Sequence, residues 1–173
     1  MPLAGDILSC YTIRTHVPSL RKEKTLSAFH DYTLPRTGKP PLSFAGRKVA
    51  QDNDAPTATG IKSKRQPWKD WSHQRWYSLT VYYAANGKWI LQICFRSVVK
   101  HERGLDEVIV CESLAELHRA LAECDPTAPV RQLPPGVTNR DEWQQKIRED
   151  VQDRWDAQVS RLLTALEYAE RVG

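Results

Sequence analysis

The stretch Ile61–Tyr77 holds the residue types best suited to a chemical task. Lys62, Lys64, Arg65, Lys69 and Arg75 stand against one acid, Asp70, and Trp68, Trp71, His73, Trp76 and Tyr77 are interleaved with them. Cations neutralise phosphates and aromatic faces stack on unpaired bases, so this is the composition of a nucleic-acid contact. On that reading Lys64, Arg65, Lys69 and Arg75 touch phosphates, with Lys62 in the same contact surface, and Trp68 and Trp71 supply stacking faces. The competing reading makes the tryptophans core anchors ahead of a strand and the cations a solvated loop. The spacing of Trp68 and Trp71 places both on one side of a helical turn. Arg21, Lys22 and Lys24, then Arg36, Lys39, Arg47 and Lys48, form further basic groups that the same surface would extend. No established RNA- or DNA-binding signature accompanies them.

The best catalytic constellation is His101-Glu102-Arg103 with Asp106, Glu107 and Glu112. A metal-dependent nuclease needs carboxylates converging on a cation, usually beside a lysine. Here the lysine is absent from the expected place, and His101 to Gly104 reads as a turn between strands, where such residues are solvated. His16, His30, His73, His101 and His118 are dispersed, and no CxxC completes a zinc site. GxSxG, P-loop and GxGxxG patterns are missing. The reading is therefore a non-enzymatic binding protein with no catalytic residue, metal or cofactor assigned.

The 173 residues carry a net charge of +4, unevenly spread. Residues 1–87 hold 13 Lys/Arg and 6 Asp/Glu, whereas residues 88–173 hold 12 and 15. An anionic partner for the N-terminal half fits this asymmetry, as does association of two copies head to tail. Cys10, Cys94, Cys111 and Cys124 read as reduced apolar fillers of a cytoplasmic protein. The chain shows no signal-peptide pattern and no apolar run of about 20 residues, so no membrane partner is expected.

The elements that must position these groups centre on Trp76–Glu112, read as a meander of three strands: Trp76–Ala84, Lys88–Val99 and Leu105–Glu112. Asn86-Gly87 signals a two-residue type I′ hairpin turn. That turn places Ala84 opposite Trp89, Tyr82 opposite Leu91, Tyr83 opposite Ile90 and Val81 opposite Gln92. Both resulting faces are rich in apolar and aromatic side chains, so both are expected to be covered. Upstream, Ile7–Val17, Thr25–Leu34 and Leu42–Ala50 read as strands, with Pro35–Pro41 a loop. Gly46 marks a bulge or a close backbone approach. Residues 51–75 read as a basic and aromatic loop.

Ser113-x-x-Glu116 is a capping box opening a short helix, 113–124. A proline-rich linker, 125–138, follows. Thr138 or Asn139 then caps a long amphipathic helix, 139–171. Its apolar stripe includes Trp143, Ile147, Trp155, Leu162 and Leu166. At 1.5 Å per residue the helix spans about 48 Å and overhangs a small sheet, which offers those five residues to a protein partner or a second copy. The fold expected is one α+β domain, an antiparallel sheet of five to six strands with both helices packed on it. The function expected is binding, of nucleic acid through the basic stretch or of protein through the long helix.

Overall fold

The computed structural model describes residues 28–56 and 67–172. Five strands, β1 (His30–Arg36), β2 (Lys39–Asn53), β3 (Arg75–Ala84), β4 (Trp89–Ser97) and β5 (Leu105–Cys111), pair in chain order as an antiparallel meander. Three helices accompany them: α1 (Pro67–Ser72), α2 (Leu114–Glu123) and α3 (Arg140–Val172). The chain is thus of the α+β class, with a short helix and a long C-terminal helix on an antiparallel sheet. The expected strand Ile7–Val17 lies outside the described residues.

Side-chain alternation divides the sheet into two faces. Tyr77, Leu79 and Val81 of β3, with Leu91, Ile93 and Phe95 of β4, point toward the helices and form the main core with Leu117, Leu121, Ile147, Val151, Trp155, Leu162 and Leu166. The expected hairpin register is off by one residue. Tyr83 pairs with Trp89, Tyr82 with Ile90 and Val81 with Leu91. The loop has three residues, with Ala84 N–H bonded to the Lys88 carbonyl at 2.8 Å and Gly87 alone taking positive φ, at 82°. This is the turn-plus-bulge solution to a short hairpin rather than type I′. A one-residue slip exchanges partners across the whole strand pair, and here it sets apolar side chains against apolar ones on the helix side.

The first hairpin also departs from expectation. Its turn is only Thr37-Gly38, while Pro35 lies in β1 and Pro40 and Pro41 in β2. Pairing of β2 with β3 begins at Gly46, so the prolines occupy a length of β2 bonded on one side only. A missing N–H costs little there. The Thr37 N–H donates to the Asp106 carbonyl at 2.7 Å, and Thr37 Oγ1 accepts from the Asp106 N–H at 2.8 Å. These bonds draw the hairpin tip onto β5 and curl the sheet away from the helices. A second apolar cluster, Leu34, Tyr82, Ala84 and Ile90, with Tyr32, Leu42, Phe44 and Val108 against it, fills part of the helix-free face.

The helix starts behave as read, with one adjustment. Ser113 Oγ accepts from the Glu116 N–H, but the Glu116 carboxylate reaches the N–H of Glu112 instead of that of the capping residue. The long stripe of α3 is used within the chain. Ile147, Trp155, Leu162 and Leu166 are buried in the main core and Trp143 packs against it. The expected overhang of these five residues is corrected, because α3 runs along the helix-facing sheet side with α1 alongside. A second chain would reach the stripe only if the core opened. No helix among the described residues is long and apolar enough to cross a membrane.

Candidate nucleic-acid interface

Arg75, expected at a phosphate, points inward. It opens β3 with the same parity as Tyr77 and Leu79, which aims it at the helix side. Glu102 meets it there from the loop after β4. Arg75 Nε and Nη2 donate to the two Glu102 oxygens at 2.8 and 2.7 Å. The remaining Arg75 donors reach the carbonyls of Trp71, at 2.9 Å, and Gln132, at 2.8 Å. Glu102 also accepts from Ser97 Oγ and from the N–H groups of Arg131 and Gln132. The side chains of Arg75 and Glu102 are 1% and 2% exposed. Burial pushes the Glu102 carboxyl up, but the bonds from Arg75, Ser97 and Gln132 outweigh it and hold the group below its ordinary value. One member of each candidate set read from the sequence, Arg75 of the basic and Glu102 of the acidic, is thus neutralised by the other in a structural ion pair. Glu102 is not placed to serve as a general base or a metal ligand.

Trp71 belongs to the same node. Its ring lies under the Arg75 guanidinium at 5.7 Å, its Nε1–H donates to the Gln132 carbonyl at 3.1 Å, and it packs against the main core. It is an anchor of the scaffold, with Arg75 over its ring. Trp68 and Lys69 remain half-buried on α1, whose helical turn replaces the loop expected there. Lys62, Lys64 and Arg65 lie outside the described residues. Of the other acids of the catalytic set, Asp106 is bound to Arg96 at 2.6 Å and Glu112 to Lys88 at 2.7 Å.

The face without helices carries a different set of groups. Tyr32 and Phe44 stack at 5.4 Å between centroids, and Tyr82 lies against both, at 4.7 and 5.5 Å. Cross-strand pairing assembles them: Tyr32 is opposite Phe44, and Lys48, two turns of the pleat along β2, is opposite Tyr82. Tyr32 and Phe44 are half-buried while Tyr82 is buried beneath them. Gly46 has to be glycine for this packing. A Cβ there would meet the Phe44 ring at 2.8 Å and the Tyr83 carbonyl at 2.9 Å. Gly46 is therefore the close approach expected, and the strand irregularity falls later, between Lys48 and Ala50.

Further along the same face Trp76 pairs with Arg96, Ser78 with Cys94 and Thr80 with Gln92. The surface thus runs from an aromatic cluster through hydroxyl and amide groups to a half-buried tryptophan beside a guanidinium. Lys48 Nζ is held by Gln51 Oε1 at 2.8 Å, a neutral acceptor that leaves its charge uncompensated. The carboxylate of Asp106 holds Arg96 protonated but balances its charge. Burial pushes the Cys94 thiol up to about 11, so this cysteine stays protonated at neutral pH and offers no nucleophile. The accessible part of this face presents half-buried rings, hydrogen-bonding groups and the Lys48 cation.

No family model, curated protein or solved structure matches this chain.

Reading the sequence missed the helix-free face as a site because its members come from β1, β2 and β3, separated by tens of residues. The usable signal was the coincidence of Tyr32, Phe44 and Tyr82 with inward-or-outward parity on their strands, which becomes visible only once the register is known.

Proposed function

We propose that this chain is a non-enzymatic protein that binds single-stranded nucleic acid across the helix-free face of its sheet. The observation that supports the reading is the cluster of Tyr32, Phe44 and Tyr82 beside Lys48 on a sheet surface that none of the described helices covers. Accessible aromatic faces on a sheet stack unpaired bases, whereas the bases of a duplex are already stacked on each other. Here the half-buried Tyr32 and Phe44 are the accessible rings, with Tyr82 buried beneath them as support. Trp76, beside Arg96, extends the stacking track toward α1. Lys48 supplies a cation on that face, Lys62, Lys64 and Arg65 lie outside the described residues, and the cationic surplus of the N-terminal half favours an anionic ligand. Arg75 and Trp71 leave the contact set, because they hold the scaffold. The free thiols of Cys94, Cys111 and Cys124 fit a reducing compartment such as the cytoplasm.

A protein partner docked on the α3 stripe is disfavoured by the burial of that stripe. Photo-crosslinking to an oligonucleotide containing 5-bromodeoxyuridine, followed by peptide mapping, tests the reading. Crosslinks are expected on peptides carrying Tyr32, Phe44 and Trp76. Crosslinks confined to α2 and α3 would overturn it.

A further inference from the structure

A second cationic place lies on the other side of β4, away from the helix-free face. A cavity of about 390 Å³ is lined by His101, Glu102, Arg103, Leu105, Pro129 and Arg131. Its walls come from two segments, the loop after β4 and the linker after α2. Glu102 ties them together by accepting the N–H groups of Arg131 and Gln132.

The charge balance of this cavity is unusual. Its one carboxylate is cancelled by the bidentate grip of Arg75, so it presents no net repulsion to an anion. Arg103 and Arg131 are exposed, and neither takes part in the ion pairs of the described residues. Two arginines outside the described ion pairs thus line a cavity whose one carboxylate is already neutralised. His101, also in the lining, has a φ of 70° and is the one described non-glycine residue with positive φ. Its imidazole adds an N–H donor. Backbone strain of this kind concentrates where a side chain is held for use.

We infer that this cavity binds a phosphate monoester, with Arg103 and Arg131 as the phosphate ligands and Leu105 and Pro129 as the wall for its organic part. Two arginine forks suit a tetrahedral group of several equivalent oxygens. A phosphate monoester carries about −1.5 to −2 charges at pH 7, which matches two cations. The volume suits a group no larger than a mononucleotide. The inference stands on residues that take no part in the proposed strand-binding face, so either can fail without the other.

The test is a backbone amide NMR titration of the full chain with inorganic phosphate, at ionic strength held constant with chloride. Saturable shifts confined to residues 101–105 and 130–132 are expected. Arg103→Gln and Arg131→Gln should each weaken binding at least about fivefold, with unchanged spectra elsewhere showing that the fold is kept. Arg103→Lys should restore part of it, since charge returns without the fork. Shifts that stay linear with concentration, spread over all exposed cations, or persist in Arg103→Gln/Arg131→Gln would overturn the assignment. If the site exists, its source of phosphate follows from two further probes. Preference for a 5′-phosphorylated over a 5′-hydroxyl oligonucleotide assigns it to a strand end. Binding of glycerol 3-phosphate with no such preference assigns it to a small phosphomonoester.

Discussion

Both oxygens of Glu102 are gripped by the guanidinium of Arg75, 27 residues away in sequence, at 2.8 and 2.7 Å and almost fully out of water. The pair joins the start of β3 to the loop after β4 and, through Gln132, to the linker between α2 and α3. Three separate segments meet at one carboxylate.

Removing one partner strands a buried charge. Arg75→Ala and Glu102→Ala should each cost about 3–5 kcal/mol in urea unfolding, whereas Arg75→Met/Glu102→Leu should recover a large part of the loss. A double variant as unstable as the sum of the single ones would show that the two groups act separately.

The pair also sets an acid limit. The Glu102 carboxyl titrates below its ordinary 4.5 in the folded chain, so its contribution is complete above that value. It is lost as pH falls through the lower, folded value, because the unfolded chain takes up the proton first. Thermal scans from pH 7 down to pH 2 should therefore show stability dropping below about pH 4.5 in the natural chain. In Glu102→Gln the starting stability should be lower and this part of the drop smaller. Parallel curves would separate the acid transition from Glu102.

The β3–β4 loop separates two turn geometries. Type I′ needs positive φ at both Asn86 and Gly87, whereas the observed loop needs it at Gly87 alone. Gly87→Ala should cost about 1 kcal/mol and Asn86→Ala only a few tenths, measured by denaturant midpoint. Equal losses would restore the two-residue turn.

How much of this could be read from the chain depends on the range of the signal. The capping Ser113, the start of α3 at Arg140 just after Asn139 and the stripe from Trp143 to Leu166 were legible, since each is set by residues within a few turns. The hairpin position was legible from Asn86-Gly87, but its register was not. Both registers oppose apolar residues, and the dipeptide fits either loop. Arg75 and Glu102 each read as surface groups because charged side chains usually are. Only the three-dimensional meeting of β3, the β4–β5 loop and the linker makes their burial favourable. Tyr32, Phe44 and Tyr82 were hidden for the same reason, since nothing local links them.

His101 couples the phosphate cavity to stability. An L-residue in the left-handed region costs about 1–2 kcal/mol, which glycine avoids. His101→Gly should raise the unfolding free energy by about 1 kcal/mol while weakening inorganic phosphate binding in the same titration. A variant that is both more stable and equally able to bind phosphate would leave the strain without a role at the cavity.

The most direct test of the strand-binding account is fluorescence anisotropy of a labelled twelve-residue oligothymidine, titrated with the natural chain, Trp76→Ala and Lys48→Ala at three salt concentrations. The account predicts binding that weakens steeply with salt. It predicts a loss of about tenfold or more in Trp76→Ala, from one stacked base. In Lys48→Ala the slope of log affinity on log salt should be shallower by about 0.7, the value of one phosphate contact on a single strand. No binding at low salt, or affinities and slopes that both substitutions leave unchanged in folded protein, would contradict it.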